Sequence, residues 1–565
     1  MLPSAAPGCS QGAEVRIWTA PRRPQPGEPV EILAVATDGA LDDILVTDPA
    51  GASVPVRATR SGGPPWGVAA TLSRSRAGTY RVEARRGRTL AACREVTIGA
   101  DSQGPAGWDL ATEALYAVWI ERLFDAPPSE SLSFPSLEPV LRDPSRNFLH
   151  SYLGAGEDSR LPATPDCADL PYFLRAYFSW KLGLPFAYRP CGRGSAKAPP
   201  NCGAPVIETA FVGTQAPAAS FRQASRRLMD TVHSGSARTS LRDDGTDLYP
   251  VPLQRDSLWP GTVYADPYGH VLILVKWIPQ TSGSPGMLLA VDAQPDNSVS
   301  RKRFWEGTFL FADTPSAGPG FKTFRPLTGG KGSRLVSNGA LSGTSGLPPF
   351  STEQAGLTQD DFYARVQRLI NPRGLAPNAA YEATLAALVE QVETRVTAVD
   401  TGEAHQRKGG ATIPMPSGPA IFETTGPWED YSTPSRDMRL LIAMKVLEGL
   451  PQRIRRYPDL FVLGGEDPGR AAARIEALHA RRTQEVGFSY HRSDGSPWPL
   501  RLADLYERRA ALEVAYNPND CPERRWGAKT GTPEAATCRR QAPADQRAKM
   551  EEYRAWFRDT RRPPR

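Results

Sequence analysis

Three side chains of the kinds that together break amide bonds occur in one order along this 565-residue chain. Cys167 stands in TPDCADLPYFLRAYFSWKLGLPF, His270 in ADPYGHVLILVKW, and Asp292 in MLLAVDAQPD, with Gln294 two residues further on. Downstream of Cys167, the residues Leu170, Leu174, Tyr177, Phe178 and the stem of Lys181 share one helical face. The pattern predicts a helix that starts at the thiol, with Asp166 beside it as a good capping residue. At such a helix start the dipole and the unpaired N–H groups favour thiolate, and the Cys167 amide is placed to steady an oxyanion. Pro171 takes one donor out of the first turn and makes it irregular. His270 opens the apolar strand HVLILVKW, and the second apolar run ends on Asp292. Gln294 shares the face of Asp292 if that strand continues, so one of the two is placed to orient the imidazole. A thiol, a base and a group that holds the base are what covalent acyl transfer through sulfur requires.

Seven cysteines occur, and sequence alone does not determine how they pair. Cys191 and Cys202 bracket one polar, Gly- and Pro-rich loop, and Cys521 and Cys538 bracket another, so two local disulfides are expected. Cys9 and Cys93 flank the strands of the N-terminal region and can close it, which leaves Cys167 unpaired. This arrangement points to an oxidising compartment, periplasmic or extracellular. No paired CxxC or HxxEH spacing suggests zinc, and neither a metal nor a cofactor is expected. Lipidation of Cys9 has little support, because APGC lacks an apolar residue before the cysteine.

The elements that must position these residues read as a multidomain chain. Residues 10–100 alternate short β-type runs with Gly/Pro turns, the pattern of an immunoglobulin-like β-sandwich that packs against its neighbour or acts as a spacer. Helices and strands mix over 105–315, an α+β domain carrying all three candidate residues. Residues 316–349 are dominated by Gly and Ser and read as a long flexible loop. Amphipathic stretches such as FYARVQRLI and YEATLAALVEQVETRV make 350–565 a mainly helical C-terminal region.

Composition narrows the function classes. Hydrophobic residues are 40% and charged residues 23% of the chain, ordinary values for a folding protein. No apolar run approaches the roughly 20 residues of a membrane-spanning helix. The N-terminus, MLPSAAPGCS, shows neither the basic start nor the apolar stretch of a signal peptide. The net charge of +6 is spread as arginines among acids rather than interleaved with aromatics, so nucleic acid is not an expected partner. The other histidines, His150 among them, lack a partner motif. Lys529 to Gly531 read Lys-Thr-Gly without the SxxK that penicillin-binding enzymes place beside it. The sequence carries no signal for an oligomeric state.

SYLGAG, DCAD, WPG and GHVLIL resemble segments of the papain-like superfamily of cysteine hydrolases, which includes NlpC-type cell-wall peptidases and transglutaminase-like proteins. The resemblance covers about residues 145–312. It implies a papain-like fold for the central domain, a Cys167, His270, Asp292 triad, Tyr152 on the oxyanion side, and peptidoglycan peptide as the preferred substrate. Ala168 and Asp169 depart from the Ser and Gly of the NlpC pattern. The spacing from Cys167 to Gly183, and Asp292 itself, lie closer to the transglutaminase-like pattern. The expected function is therefore a secreted or periplasmic cysteine hydrolase. Its alternatives are a transglutaminase-like acyl transferase or protein-processing protease, and a non-catalytic envelope binding protein.

Overall fold

The computed structural model describes residues 9–563 apart from 103, 155, 213–216, 295, 313, 315, 329–333, 344–345 and 423–425. The first eight residues, part of the MLPSAAPGCS segment that shows no signal-peptide pattern, and part of the Gly/Ser-rich stretch lie outside the described residues. Two compact units form, residues 1–304 with 311–370, and residues 305–310 with 371–565.

The first unit begins with eight strands: β1 (Val15–Ala20), β2 (Val30–Ala36), β3 (Asp43–Thr47), β4 (Ser53–Val54), β5 (Thr59–Ser61), β6 (Trp66–Leu72), β7 (Gly78–Arg86) and β8 (Thr89–Ile98). They make two antiparallel sheets, ordered β1-β2-β6-β5 and β4-β3-β7-β8. Alternation along β1 and β2 sends Ile17, Ile32 and Ala34 between the two sheets. It sends Trp18, Leu33 and Val35 outward, onto α1 (Leu110–Leu123). Both faces of this sheet are therefore buried, and the β-region is packed into the first unit rather than standing off it. Close approach makes Gly67 necessary, because a Cβ there would meet Val118 of α1 at 2.6 Å. The Cys9–Cys93 disulfide ties the chain start to β8.

After β9 (Ser133–Phe134) and α2 (Glu138–Arg142) comes α3 (Asp169–Leu182), of which every residue is buried. Burial of its charges is met by specific partners. Lys181 bonds Glu157 and, at 2.7 Å, Asp158. Arg175 bonds Glu113 at 2.5 and 2.7 Å and lies over the Trp108 ring. Gly183 ends the helix in the left-handed region at φ 70°. The hairpin of β10 (Phe186–Tyr188) and β11 (Val206–Glu208) is closed across its loop by the Cys191–Cys202 disulfide. Next are α4 (Ala218–Thr231), α5 (Ser234–Ala237), β12 (Leu248–Pro250), β13 (Val263–Ala265), β14 (Val271–Ile278), β15 (Met287–Ala293), β16 (Val299–Arg303) and β17 (Gly320–Phe324).

One antiparallel sheet, ordered β12-β17-β13-β14-β15-β16-β9, carries Asp292 on β15, with His270 just before β14 and Gln294 just after β15. Val271, Ile273, Val291 and Ala293 join α1 and α3 in one core. Tyr264, Phe304 and Phe321 meet Phe362 and Tyr363 of helix Gln359–Ile370 on the sheet's second face. Two sequence expectations are corrected here. β17 lies in the stretch read as a flexible loop, because GFKTF pairs with both β12 and β13 and buries Phe321 and Lys322. FYARVQRLI, read with the C-terminal helices, covers the sheet of the first unit.

The second unit is mainly helical, with Pro377–Arg407, Pro434–Glu448, Pro468–Glu485 and Ala544–Arg558 as its long helices. At its centre the Arg395 guanidinium makes two 2.9 Å bonds to Asp437 and stacks over Trp526. A hairpin, Gly487–His491 with Pro497–Arg501, interrupts the helices, and Cys521–Cys538 closes a loop beside it. Among the described residues no helix is long and apolar enough to cross a membrane.

Candidate functional site

Cys167 is the one free cysteine of the seven and is half-buried immediately before α3. The segment Asp-Cys-Ala-Asp forms a reciprocal cap. Asp166 Oδ1 accepts from the Ala168 and Asp169 amides at 2.8 and 2.9 Å, while the Asp166 amide donates to Asp169 Oδ2 at 3.4 Å. The Leu170 amide donates to the Asp166 carbonyl, and Pro171 has no N–H. The Cys167 amide is then the one donor of this turn not engaged within it.

The thiol's electrostatics differ from the sequence expectation. Burial pushes the Cys167 thiol up to about 12, and the negative charge of Asp166 adds to the effect. The helix start does not favour thiolate, because Asp166 has already taken two of the N–H groups and brought its own charge. Burial, with Asp166 alongside, also pushes Asp169 up to about 8. One contact works the other way: the Val271 amide donates to the sulfur, stabilising its charged form.

Residue 271 follows His270, and the turn that presents the imidazole is legible in its residues. In Asp266-Pro267-Tyr268-Gly269 the Asp266 carboxylate accepts from the Tyr268 amide at 2.6 Å. Proline occupies the second position, and Gly269 takes φ 119° at the fourth. Arg238 steadies this turn through the Pro267 carbonyl and grips the disulfide loop through the Arg193 carbonyl. His270 Nε2 donates to Asp292 Oδ2 at 2.8 Å. Asp292 is 1% exposed. Although burial pushes its carboxyl up, the Lys302 ammonium and the His270 ring hold it well below the usual carboxylate range. Gln294 Nε2 and Lys302 Nζ donate to that same oxygen at 2.8 and 2.6 Å. The imidazole half of the site sits on Asp292 and the thiol half rests against the Val271 amide; the joint between them is the backbone of His270 and Val271.

Of the residues singled out in sequence, Cys167, His270, Asp292 and Gln294 are brought to one end of the sheet. Tyr152 is not. Its hydroxyl bonds Ser102, with Arg94 and Arg22 close by, so it serves the junction with the β-region instead of an oxyanion. Asp292, not Gln294, contacts the imidazole, and Gln294 braces Asp292. Lys302 was missed, and its only signal is register. Asp292 lies opposite Ser300, which makes Lys302 its diagonal neighbour across β15 and β16. His233 is structural, accepting from the Gly235 amide and meeting the Cys191 carbonyl at 2.7 Å.

A cavity lies away from this site, among Tyr116, Tyr249, Trp259, Phe324 and Pro348, and takes no part in the thiol's surroundings. Cys521, Glu523 and Cys538 cluster as metal ligands would, but the two sulfurs are joined to each other and Glu523 accepts from Ser493 and Thr537. Compared with protein-family models, with curated proteins and with solved structures, the chain gives no match.

Proposed function

We propose that this chain is a cysteine hydrolase that cleaves an amide bond through an acyl-enzyme. The observation that carries the reading is the convergence on one strand start: the amide of Val271 on the Cys167 sulfur, and the preceding His270 bonded to a buried aspartate. With the thiol neutral at rest, the reaction runs by general base catalysis. The proton leaves sulfur for His270 Nδ1 as sulfur bonds the carbonyl carbon, and the carbonyl electron pair moves onto oxygen, next to the Cys167 amide. Collapse breaks the C–N bond, and the departing amine takes the proton from His270. Water then gives a proton to the imidazole as its oxygen bonds the thioester carbon; the C–S bond breaks, the sulfur takes that proton back from His270, and the carboxylic acid and the thiol are released.

The three disulfides support an oxidising compartment. Peptidoglycan peptide is the preferred substrate on the strength of the resemblance. Direct contact of Asp292 with the imidazole favours the transglutaminase-like branch as a second reading, in which an amine replaces water. The burial of Cys167 favours a third, a non-catalytic envelope binding protein. The test is incubation with muropeptides and with protein amides, with and without a primary amine, read by mass spectrometry. Cleavage lost in Cys167→Ala supports the hydrolase, amine incorporation supports the transferase, and cleavage retained in full by Cys167→Ala contradicts both.

A further inference from the structure

Three donors crowd Asp292 Oδ2, while Oδ1, equally buried, has no hydrogen-bond partner among the described residues. A buried carboxylate beside a histidine ordinarily favours imidazolium, which cannot take a proton from a thiol. Here a cation shares the carboxylate oxygen that the ring uses. Among the described residues, the charged groups gathered at His270 are Asp292 from β15, which bonds its ring, Lys302 from β16, which bonds the same oxygen, Asp266 in its own turn, and Arg238, which bonds the Pro267 carbonyl of that turn. The Cys167 sulfur, with Asp166 and Asp169 beside it, rests on the amide of the next residue. Lys302 is the cation bonded to Asp292 itself, whereas Arg238 bonds backbone carbonyls.

We propose that Lys302 is a positioning residue of the site which, acting through Asp292, keeps His270 neutral and so ready to accept the Cys167 proton. Two observations carry it besides the shared oxygen. Lys302 reaches Asp292 from β16 on one side of β15 and His270 from the residue before β14 on the other, so a single carboxylate reads both. The neighbouring thiol is itself held protonated, and a neutral base is the state that complements a neutral thiol. The role rests on the hydrolase reading, but its test does not.

In the full-length protein labelled with 15N-histidine, with the His270 signal assigned through His270→Gln, the ring is titrated in wild type, Lys302→Met and Lys302→Arg. Lys302 is partly exposed, so the methionine opens no cavity. His270 titrates about one pH unit higher in Lys302→Met and at the wild-type position in Lys302→Arg. An unmoved titration in Lys302→Met, or the same movement in Lys302→Arg, overturns the role. A thiol inert to alkylation beside a shifted His270 would instead overturn the hydrolase reading and leave the coupling standing.

Discussion

Asp166 has two effects on the thiol that substitution can separate. Asp166→Asn keeps an acceptor for the Ala168 and Asp169 amides and removes the charge that raises the proton affinity of Cys167. Asp166 is exposed, so its field is screened, and we expect the thiol to become more acidic by about one unit rather than three. Thiolate then increases about tenfold at any pH well below the thiol's titration. Nucleophilicity falls as acidity grows, with a slope of about 0.4–0.5, which returns about threefold, so the net gain is about threefold. The assay is the reaction of Cys167 with a dithiodipyridine between pH 7 and 9 at low salt; with the other six cysteines paired, the released thiopyridone reads this thiol. At about 1 M salt, where screening reaches within about 3 Å, wild type and variant converge. Asp166→Ala makes the same change of charge but also loses the cap, costing about 1 kcal/mol in denaturant titrations. A variant Asp166→Asn that reacts at or below the wild-type rate refutes the reasoning, since the charge would then not reach the sulfur.

Other expectations follow from the buried contacts. Lys181→Met strands Glu157 and Asp158 in the core and costs about 3–5 kcal/mol by denaturant unfolding. Trp18→Ala removes a side chain wedged between the β-region and α1 and costs about 3–5 kcal/mol, with loss of the first unit's cooperative transition as the readout. Asp169, whose proton affinity is raised on folding, favours the folded state most below about pH 4 and loses that contribution as pH rises through about 8. Asp169→Asn should therefore gain stability relative to wild type as pH climbs through that window, and equal stabilities at pH 5 and pH 9 would contradict the assignment. Removing Cys191 and Cys202 together costs about 2–3 kcal/mol by the same unfolding measurement, and it frees the loop that Arg238 links to the His270 turn.

Much of the local structure was legible because it obeys short-range rules. The capped helix after Cys167, the strand that follows His270 and the two loop disulfides, which span 11 and 17 residues, each rest on residues close together in the chain. What could not be read depends on register between distant strands. Nothing in SRKRF announces that Lys302 meets Asp292, and nothing in SYLGAG announces that Tyr152 faces Ser102. The strand GFKTF was hidden by the glycines around it, though its partners supply everything a strand needs. The hairpin at 487–501 carried its own signal, Asp-Gly between alternating residues, which the surrounding helical periodicity outweighed. The sign of the thiol's shift was missed for another reason: its main cause is burial of the sulfur, which depends on packing between distant segments, and the capping aspartate, counted as an aid to the helix, adds its charge.

The most direct test of the site is the rate of Cys167 alkylation against pH in native wild type and in His270→Ala, with the modified residue read by mass spectrometry. If the imidazole takes the thiol proton, wild type reacts at neutral pH at least about tenfold faster than the variant, whose rate climbs only as pH approaches the thiol's own titration near 12. Superimposable profiles would show that thiol and imidazole do not act together, and the catalytic account would fall.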